Sequence, residues 1–306
     1  MIDQLISNIL EKKNPSVVGL DTRLEYLPDF LIEKYCSKYP SLKNATLAIE
    51  EFNKRIIDEV YDLIPAVKLQ IAYYEMYGIA GLETFQKTAR YAKERGLIVI
   101  SDVKRNDIGS TAEAYSTAYL GKTQVKEAQY EAFPSDFITV NPYLGIDGIK
   151  PFIEDCNKYD KGIFVLVKTS NPSSGEFQDL QIDNKPLYKH VGEKVSEWGK
   201  DSIGEFGYSR VGAVVGATYP RQLSELRQII PNSFFLIPGY GAQGGRAEDI
   251  LQCFDEKGLG AVVNASRSVI CAYRREPWSS KFTPEQFAQA SRAEVLKMRE
   301  EFAKLF

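Results

Sequence analysis

Residues 96–111 read GLIVISDVKRNDIGST, in which an apolar run passes directly into a dense group of charges. The run at 97–100 is rich in β-branched residues and predicts a buried strand. Two acids and two bases occupy the six positions 102–107 that follow it. Because a buried charge is costly unless it has a partner or a task, the end of this strand is predicted to carry chemistry.

The same unit of an apolar run and a helical stretch recurs along the chain. The helical stretches include 81–96 and 220–230, which have the apolar spacing of amphipathic helices. Strands that are apolar on both faces and separated by helices pair in parallel with right-handed crossovers. Eight successive units therefore predict a closed (β/α)8 barrel of the α/β class. The apolar runs lie at 16–21, 65–70, 97–104, 137–142, 162–170, 212–219, 234–239 and 260–266.

An open, doubly wound sheet in two halves is the alternative architecture. No break in composition and no linker rich in Pro, Gly or Ser divides the chain, so we expect one domain over residues 1–306. The amphipathic rhythm of residues 1–16 predicts an N-terminal surface helix. Thr283 and Gln286 predict a capping box, with Pro284 at the first helical position, for a final helix that runs to Phe306 and covers the barrel.

The composition is typical of a soluble globular protein, with 44% hydrophobic and 26% charged residues. The net charge of −3 gives no broad basic field for nucleic acid, although a local basic pocket could hold a small anion. No apolar run reaches the roughly 18 residues of a membrane span, and the N-terminus does not resemble a secretion leader. We therefore expect a cytoplasmic protein that binds neither nucleic acid nor membrane. Four widely spaced cysteines without a CxxC pair predict neither disulfides nor a zinc site.

Polar residues follow most of the predicted strands. The active sites of (β/α)8 barrels lie at the C-terminal ends of the strands, so these side chains are expected to converge on one mouth. Strands also end in polar residues simply because they reach water, which is the alternative for any single position. Lys68 and Lys104 argue against that alternative, because a lysine within or just past a strand needs carboxylate partners. The strand-end residues are Asp21, Lys68, Asp102, Lys104, Asn141, Ser170, Thr218, the loop 238–245 and Arg267.

The spacing of the charges predicts an alternating row. In an extended strand Asp102 and Lys104 project to the same side, and Lys68 on the neighbouring strand can approach them. With Asp107 just beyond the strand, two carboxylates and two ammonium groups balance and keep Lys104 protonated. A protonated lysine is a proton donor and a poor Schiff-base nucleophile.

The segment PGYGAQGG at 238–245 contains the formal pattern GxGxxG, which can bind a dinucleotide. It lies in the seventh unit rather than the first, and no acid ends the next strand to bind a ribose hydroxyl, although Arg267 could suit a 2′-phosphate. The loops after strands seven and eight of a barrel commonly bind a phosphate, and this interpretation is favoured. Gln243 and Arg267 would complete the phosphate site.

Neither histidine chemistry nor a metal is expected at this mouth. His190, the only histidine, lies in the amphipathic stretch 186–200, away from every predicted strand end. The acids could bind Mg²⁺, but Lys68 and Lys104 would compete with a cation for them. The residues therefore predict no metal.

The stretch VISDVKRNDIGSTA at 99–112 resembles the signature of the orotidine 5′-monophosphate decarboxylase family. That signature is Asp-x-Lys-x-x-Asp, then Ile or Val, and Thr three residues further on. The resemblance extends through GLD, KTSNPSS, VVGATYP, PGYGAQGG and RSV, and is strongest to the longer bacterial branch. It implies a homodimeric barrel with shared active sites. It also implies conversion of orotidine 5′-monophosphate to uridine 5′-monophosphate and CO2 without a cofactor, the last step of pyrimidine biosynthesis.

The resemblance also implies a role for each matching residue. Lys104 would protonate C6 of the pyrimidine and Asp102 would adjoin the substrate carboxylate. Asp107 and Thr111 would reach into the partner subunit's site. Two departures are Ser266, which stands where many relatives have glycine, and a short loop after strand seven. The implied catalytic residues are Lys68, Asp102, Lys104 and Asp107, and the implied substrate-binding residues are Asp21 and Thr111 for ribose, Ser170 for the pyrimidine, and Pro238, Gln243 and Arg267 around the phosphate.

The chemistry of decarboxylation at C6 agrees with such a row of charges. Loss of CO2 leaves a carbanion in the plane of the ring, so electrostatic stabilisation must replace an electron sink. Two other classes remain open. A phosphosugar aldolase or sugar-phosphate decarboxylase on a related barrel would need Mg²⁺ or a reducible Schiff base, and a phosphate-ligand sensor would catalyse nothing.

Overall fold

Eight parallel strands close into a barrel in the computed structural model, which describes residues 1–217, 220–239 and 247–305. Each strand pairs in parallel with the next, and the first pairs with the last, as in the register of Val17 with Asn264. The predicted (β/α)8 barrel is confirmed, and each of the eight apolar runs contributes one strand. The barrel strands are β1 (Ser16–Gly19), β2 (Ala66–Gln70), β3 (Ile98–Arg105), β4 (Phe137–Val140), β5 (Gly162–Lys168), β6 (Ser209–Val215), β7 (Ser233–Ile237) and β8 (Ala261–Ala265).

Helices follow the strands and cover the outside of the barrel. Two small antiparallel hairpins, formed by 123–130 and 181–186, lie outside the barrel sheet. Across the three described ranges, no helix combines the length and apolar composition needed to cross a bilayer. The α-helices are α1 (Ile2–Lys12), α2 (Asp29–Cys36), α3 (Leu42–Val60), α4 (Ala72–Glu75), α5 (Gly78–Glu94), α6 (Gly109–Tyr119), α7 (Lys150–Tyr159), α8 (Gly175–Gln178), α9 (Leu187–Gly199), α10 (Pro220–Ile229), α11 (Ala247–Ile250), α12 (Arg267–Ile270) and α13 (Phe287–Ala303).

The N-terminal helix α1 closes the end of the barrel opposite the mouth. Its buried residues Ile2, Leu5, Ile6 and Ile9 belong to one apolar cluster with side chains from the first positions of the strands, such as Phe137. Each such side chain stabilises the fold by roughly 1.5–3 kcal/mol when fully buried. The predicted surface helix is therefore present, and its apolar face seals the barrel floor.

The C-terminal helix begins as predicted. Thr283 and Gln286 form the capping box, with Pro284 in the first turn, which is a 3-10 turn that leads into α13. Phe287 of α13 stacks on Phe52 of α3, with ring centroids 4.6 Å apart. The helix therefore packs in the outer ring beside α3, and Phe306, where it was predicted to end, lies outside the described residues.

Strand β3 is irregular where the opening motif places its charges. Its register with β4 shifts between Ser101 and Arg105, as in a β-bulge. Lys104 adopts φ 46°, in the left-handed region that costs a lysine about 1–2 kcal/mol, and its backbone N–H donates to Thr139 Oγ1 at 2.9 Å. The prediction of a regular extended segment here is wrong, because the register shift and the left-handed φ of Lys104 interrupt the extended backbone.

Candidate active site

A cavity of about 520 Å³ opens at the C-terminal ends of the strands. Most of the predicted strand-end residues line it, which follows from the parallel arrangement of the barrel. A larger, more apolar groove of about 1050 Å³ lies between the β4 loop and α9. The predicted residues at the cavity are Asp21, Lys68, Asp102, Lys104, Ser170, Pro238 and Arg267.

Four of these side chains form an alternating row of charges. Lys68 Nζ lies 3.2 Å from Asp21 Oδ1 and 3.1 Å from Asp102 Oδ2. Lys104 Nζ lies 2.5 Å from Asp102 Oδ1 at the open end of the row. The predicted row is therefore present. Within one chain, however, its second carboxylate belongs to Asp21 and not, as the spacing had predicted, to Asp107.

Burial and charge act in opposition on the inner members of the row, of which Lys68 is 4% exposed and Asp102 8% exposed. Burial would lower the pKa of Lys68, but the charges of Asp21 and Asp102 outweigh it and hold that pKa above its usual range. Burial would likewise raise the pKa of Asp102, but Lys68 and Lys104 hold it well below its usual range. Both groups therefore stay charged at neutral pH.

Two further residues orient the Asp102 carboxylate. Thr139 Oγ1 donates to Asp102 Oδ1 at 2.8 Å, and Gln70 Nε2 donates to Oδ2 at 2.9 Å. With the two lysines, each carboxylate oxygen accepts from two donors, so the charge is fixed in position. Neither Thr139 nor Gln70 was among the predicted site residues, although both are polar residues near strand ends, beside the charged positions.

Asp107 and Thr111 lie away from the cavity of their own chain, and neither is among its described lining residues. Asp107 Oδ1 accepts the neighbouring Ile108 N–H at 2.8 Å, and Thr111 is exposed in the first turn of α6. A Cβ added to Gly148 would lie 3.1 Å from the Asp107 carbonyl oxygen, so the turn after β4 packs against this segment. Ile108 next to Asp107, and Tyr143, Leu144 and Ile146 in the turn after β4, are exposed apolar residues.

Ser170 follows β5 in a segment that is held from two sides. The Gln178 side chain accepts the Thr169 N–H at 2.9 Å and donates to Thr169 Oγ1 at 2.8 Å. Lys168, which is 1% exposed, donates to Asp179 Oδ1 at 2.8 Å. These contacts fix the residue next to Ser170 and therefore its position at the cavity.

Arg267 begins α12, separated from β8 by Ser266 alone, and lines the cavity with an exposed side chain. Its guanidinium forms no ion pair with a carboxylate of the described chain, so it is available to an anion. Pro238 and Gly239 line the same side of the cavity. The predictions for Gln243 and Thr218, and the prediction of a short loop after β7, concern positions outside the described residues.

Two residues considered in the sequence lie away from the charged cavity. Asn141 does not line the charged cavity, contrary to the prediction, because its Oδ1 accepts the Tyr143 N–H at 3.0 Å and ties the side chain to its own turn. It lines the apolar groove instead. His190 lies in α9 as predicted, and its Nε2 contacts the Ile182 carbonyl oxygen at 3.0 Å.

Comparison with known proteins gives one consistent family. Residues 17–277 match the family described as Orotidine 5′-phosphate decarboxylase / HUMPS. The chain is similar to proteins named Orotidine 5′-phosphate decarboxylase from Caldicellulosiruptor bescii, at 50% identity over 89% of this chain and 90% of the relative, and from Rhodopirellula baltica, at 46% identity over 97% of each. A solved structure of Leishmania donovani OMP decarboxylase is 27% identical, with a TM-score of 0.70 over 98% of both chains.

Proposed function

This chain belongs to the Orotidine 5′-phosphate decarboxylase / HUMPS family, and we propose that it converts orotidine 5′-monophosphate to uridine 5′-monophosphate and CO2 in pyrimidine biosynthesis. The observation that carries the proposal is the row Asp21, Lys68, Asp102 and Lys104, whose inner members are buried and which meets Arg267 at one cavity. The identity of 40–50% with relatives named for this activity favours it over the aldolase alternative.

Lys104 is the proton donor in the proposed reaction. The bond from C6 to the carboxylate carbon breaks, CO2 leaves, and the electron pair stays on C6 in the plane of the ring. The ammonium of Lys104 stabilises this charge and then transfers a proton to C6. Because 45% of its side chain is exposed, Lys104 can regain a proton from water after each turnover.

Asp102 adjoins the substrate carboxylate in this proposal. Its charge is held in place by four donors and its pKa is well below the usual range, so the site cannot relieve repulsion by protonating it. Repulsion between the two carboxylates would be relieved as CO2 departs. Lys68 lies between the carboxylates of Asp102 and Asp21 and pairs with both.

The groups remote from C6 supply binding energy for this arrangement. Arg267 binds the phosphate, with Gln243 and Pro238 beside it, while Asp21 binds a ribose hydroxyl and Ser170 the pyrimidine edge. Binding energy from the phosphate and ribose can hold the base against the charged row. The reaction needs no electron sink in this scheme, and we propose that it proceeds without a cofactor.

We propose that two copies share their active sites. Asp107 and Thr111 lie away from their own cavity, beside the exposed Ile108, and the turn that packs against Asp107 carries the exposed Tyr143 and Ile146. Exposed apolar patches of this kind commonly mark interfaces, and a two-fold interface would bury the same patch on both copies. Asp107 would then extend the partner's row and Thr111 would bind the partner's ribose.

We also propose that residues 1–306 act as one domain in the cytoplasm. Helix α1 seals the floor of the barrel and α13 packs on α3, so both helices belong to the same packed body. The cysteines Cys36, Cys156, Cys253 and Cys271 are free thiols, as expected in a reducing compartment.

The test is the absorbance change of orotidine 5′-monophosphate on addition of purified protein in excess EDTA. Turnover is expected, and protein carrying Lys104→Ala from the same purification controls for contaminating enzyme. Inactivation by borohydride in the presence of substrate would indicate a Schiff base and the aldolase chemistry. Binding of the nucleotide without turnover would favour the remaining alternative, a non-catalytic phosphate-ligand sensor.

A further inference from the structure

We propose that Ser266 is a positioning residue that holds the Asp21 carboxylate and joins it to the phosphate-binding segment. The inference rests on the proposed function. Ser266 Oγ donates to Asp21 Oδ2 at 2.7 Å. The other oxygen of Asp21, Oδ1, accepts from Lys68 Nζ at 3.2 Å. The carboxylate is therefore held from both sides.

A second hydrogen bond determines the direction of the Ser266 hydroxyl. Asn264, which is buried in β8, donates its Nδ2 to Ser266 Oγ at 3.2 Å. Because this contact uses the hydroxyl oxygen as an acceptor, the hydroxyl proton is free to point at Asp21. The hydroxyl thus links a strand of the barrel wall to the charged row.

The last residue of β1 leaves room for this hydroxyl. A Cβ added to Gly19 would lie 2.0 Å from Ser266 Oγ and 3.0 Å from Asn264 Oδ1. Any larger residue at position 19 would displace the serine side chain. Gly19 and Asn264 therefore define a fixed position for the Ser266 hydroxyl between β1 and β8.

The Ser266 hydroxyl connects the proposed phosphate-binding residue with the row of charges. Ser266 directly precedes Arg267, the proposed phosphate ligand, and its hydroxyl contacts Asp21, the first member of the charged row. The contact therefore ties the position of the arginine segment to Asp21, and through Asp21 to Lys68. A glycine at position 266 cannot make the contact, since it has no donor on its side chain.

A double-mutant cycle tests this role, with kcat/KM for orotidine 5′-monophosphate measured by single turnover at excess enzyme. Ser266→Ala and Ser266→Gly are each expected to lower kcat/KM about tenfold, as for loss of a hydrogen bond to a charged group. In the Asp21→Ala background the same Ser266→Ala change is expected to alter kcat/KM less than about twofold, since its target is gone.

Thermal unfolding of all five proteins, namely the unmutated chain, the two Ser266 variants, Asp21→Ala and the double variant, accompanies the kinetics. An equal loss in both backgrounds would overturn the proposal, because Ser266 would then act independently of Asp21, and so would full activity of Ser266→Ala. If the loss of kcat/KM instead followed the fall in melting temperature, and did not depend on whether Asp21 is present, Ser266 would be a structural residue. That result would also overturn the proposal. Failure of the unmutated protein to turn over substrate would instead contradict the proposed function, so the two failures are distinguishable.

Discussion

Lys104 Nζ lies 2.5 Å from Asp102 Oδ1, although the backbone between the two residues leaves the regular strand. The left-handed φ of 46° at Lys104 is disfavoured for a lysine and persists because Thr139 accepts its N–H and Asp102 binds its ammonium. In this conformation the Lys104 ammonium lies at the open end of the row of charges. Backbone strain at a site of this kind is typical of functional positions.

The buried charges of the row predict a pH dependence of stability. Because the folded-state pKa of Asp102 is lowered, its contribution is complete above its unfolded pKa of about 3.9 and is lost as the pH falls towards the folded pKa. The raised pKa of Lys68 gives the opposite sign, so its contribution is complete below about pH 10.4 and is lost as the pH rises through the folded pKa. Both contributions are complete between roughly pH 4 and pH 10.

We therefore expect Asp102→Asn to lower the free energy of unfolding at pH 7 by about 1–3 kcal/mol, since both lysines lose a partner. Urea denaturation from pH 3 to pH 8 measures this, and the difference from the unmutated protein should shrink below pH 4. The exposed Asp183→Asn is the matched control. A difference that stays constant down to pH 3 would show that the Asp102 charge does not stabilise the fold.

Arg267 is predicted to recognise the phosphate and not the base. Arg267→Ala should raise KM for orotidine 5′-monophosphate by about tenfold to hundredfold, as for loss of a charged hydrogen bond worth about 1.5–3 kcal/mol. The same change should have little effect on decarboxylation of orotidine, which has no phosphate. Arg275→Ala, at an exposed arginine outside the cavity lining, is the control. Equal losses on both substrates would make Arg267 a structural residue.

Subunit mixing tests the proposal that Asp107 serves the neighbouring site. Lys104→Ala dimers and Asp107→Ala dimers are expected to be inactive alone and to regain activity when their subunits exchange. In a hybrid, the site on the Asp107→Ala chain keeps its own Lys104 and receives an intact Asp107, while the other site is doubly defective. Equal mixing makes about half of the dimers hybrid, so about a quarter of all sites should recover.

Differently tagged chains establish that exchange has occurred. If Asp107 acted within its own chain, every site in a hybrid would remain defective. Absence of recovery in tagged heterodimers would therefore contradict the shared site and would leave Asp107 as a local residue that caps its own turn.

The sequence predicted the barrel well because strands buried on both faces must be apolar, and each of the eight runs is a strand. It also predicted the meeting of Lys68, Asp102 and Lys104, since parallel strands end at one mouth. It did not reveal the bulge in β3, because the alternation of Asp102, Val103 and Lys104 looks regular. The pairing of Asp21 with Ser266 depends on closure of β1 on β8, which joins residues 245 positions apart.

The most direct test of the central claim is to measure turnover and nucleotide binding together in Lys104→Ala. Turnover of orotidine 5′-monophosphate should fall by roughly a hundredfold to ten-thousandfold or more, since the proposed mechanism assigns both the charge and the proton at C6 to Lys104. The Kd for uridine 5′-monophosphate should change little, because Lys104 acts mainly in the transition state. Lys126→Ala, at an exposed lysine that also has a left-handed backbone, should behave as the unmutated protein does. Near-normal turnover in Lys104→Ala would contradict the mechanism.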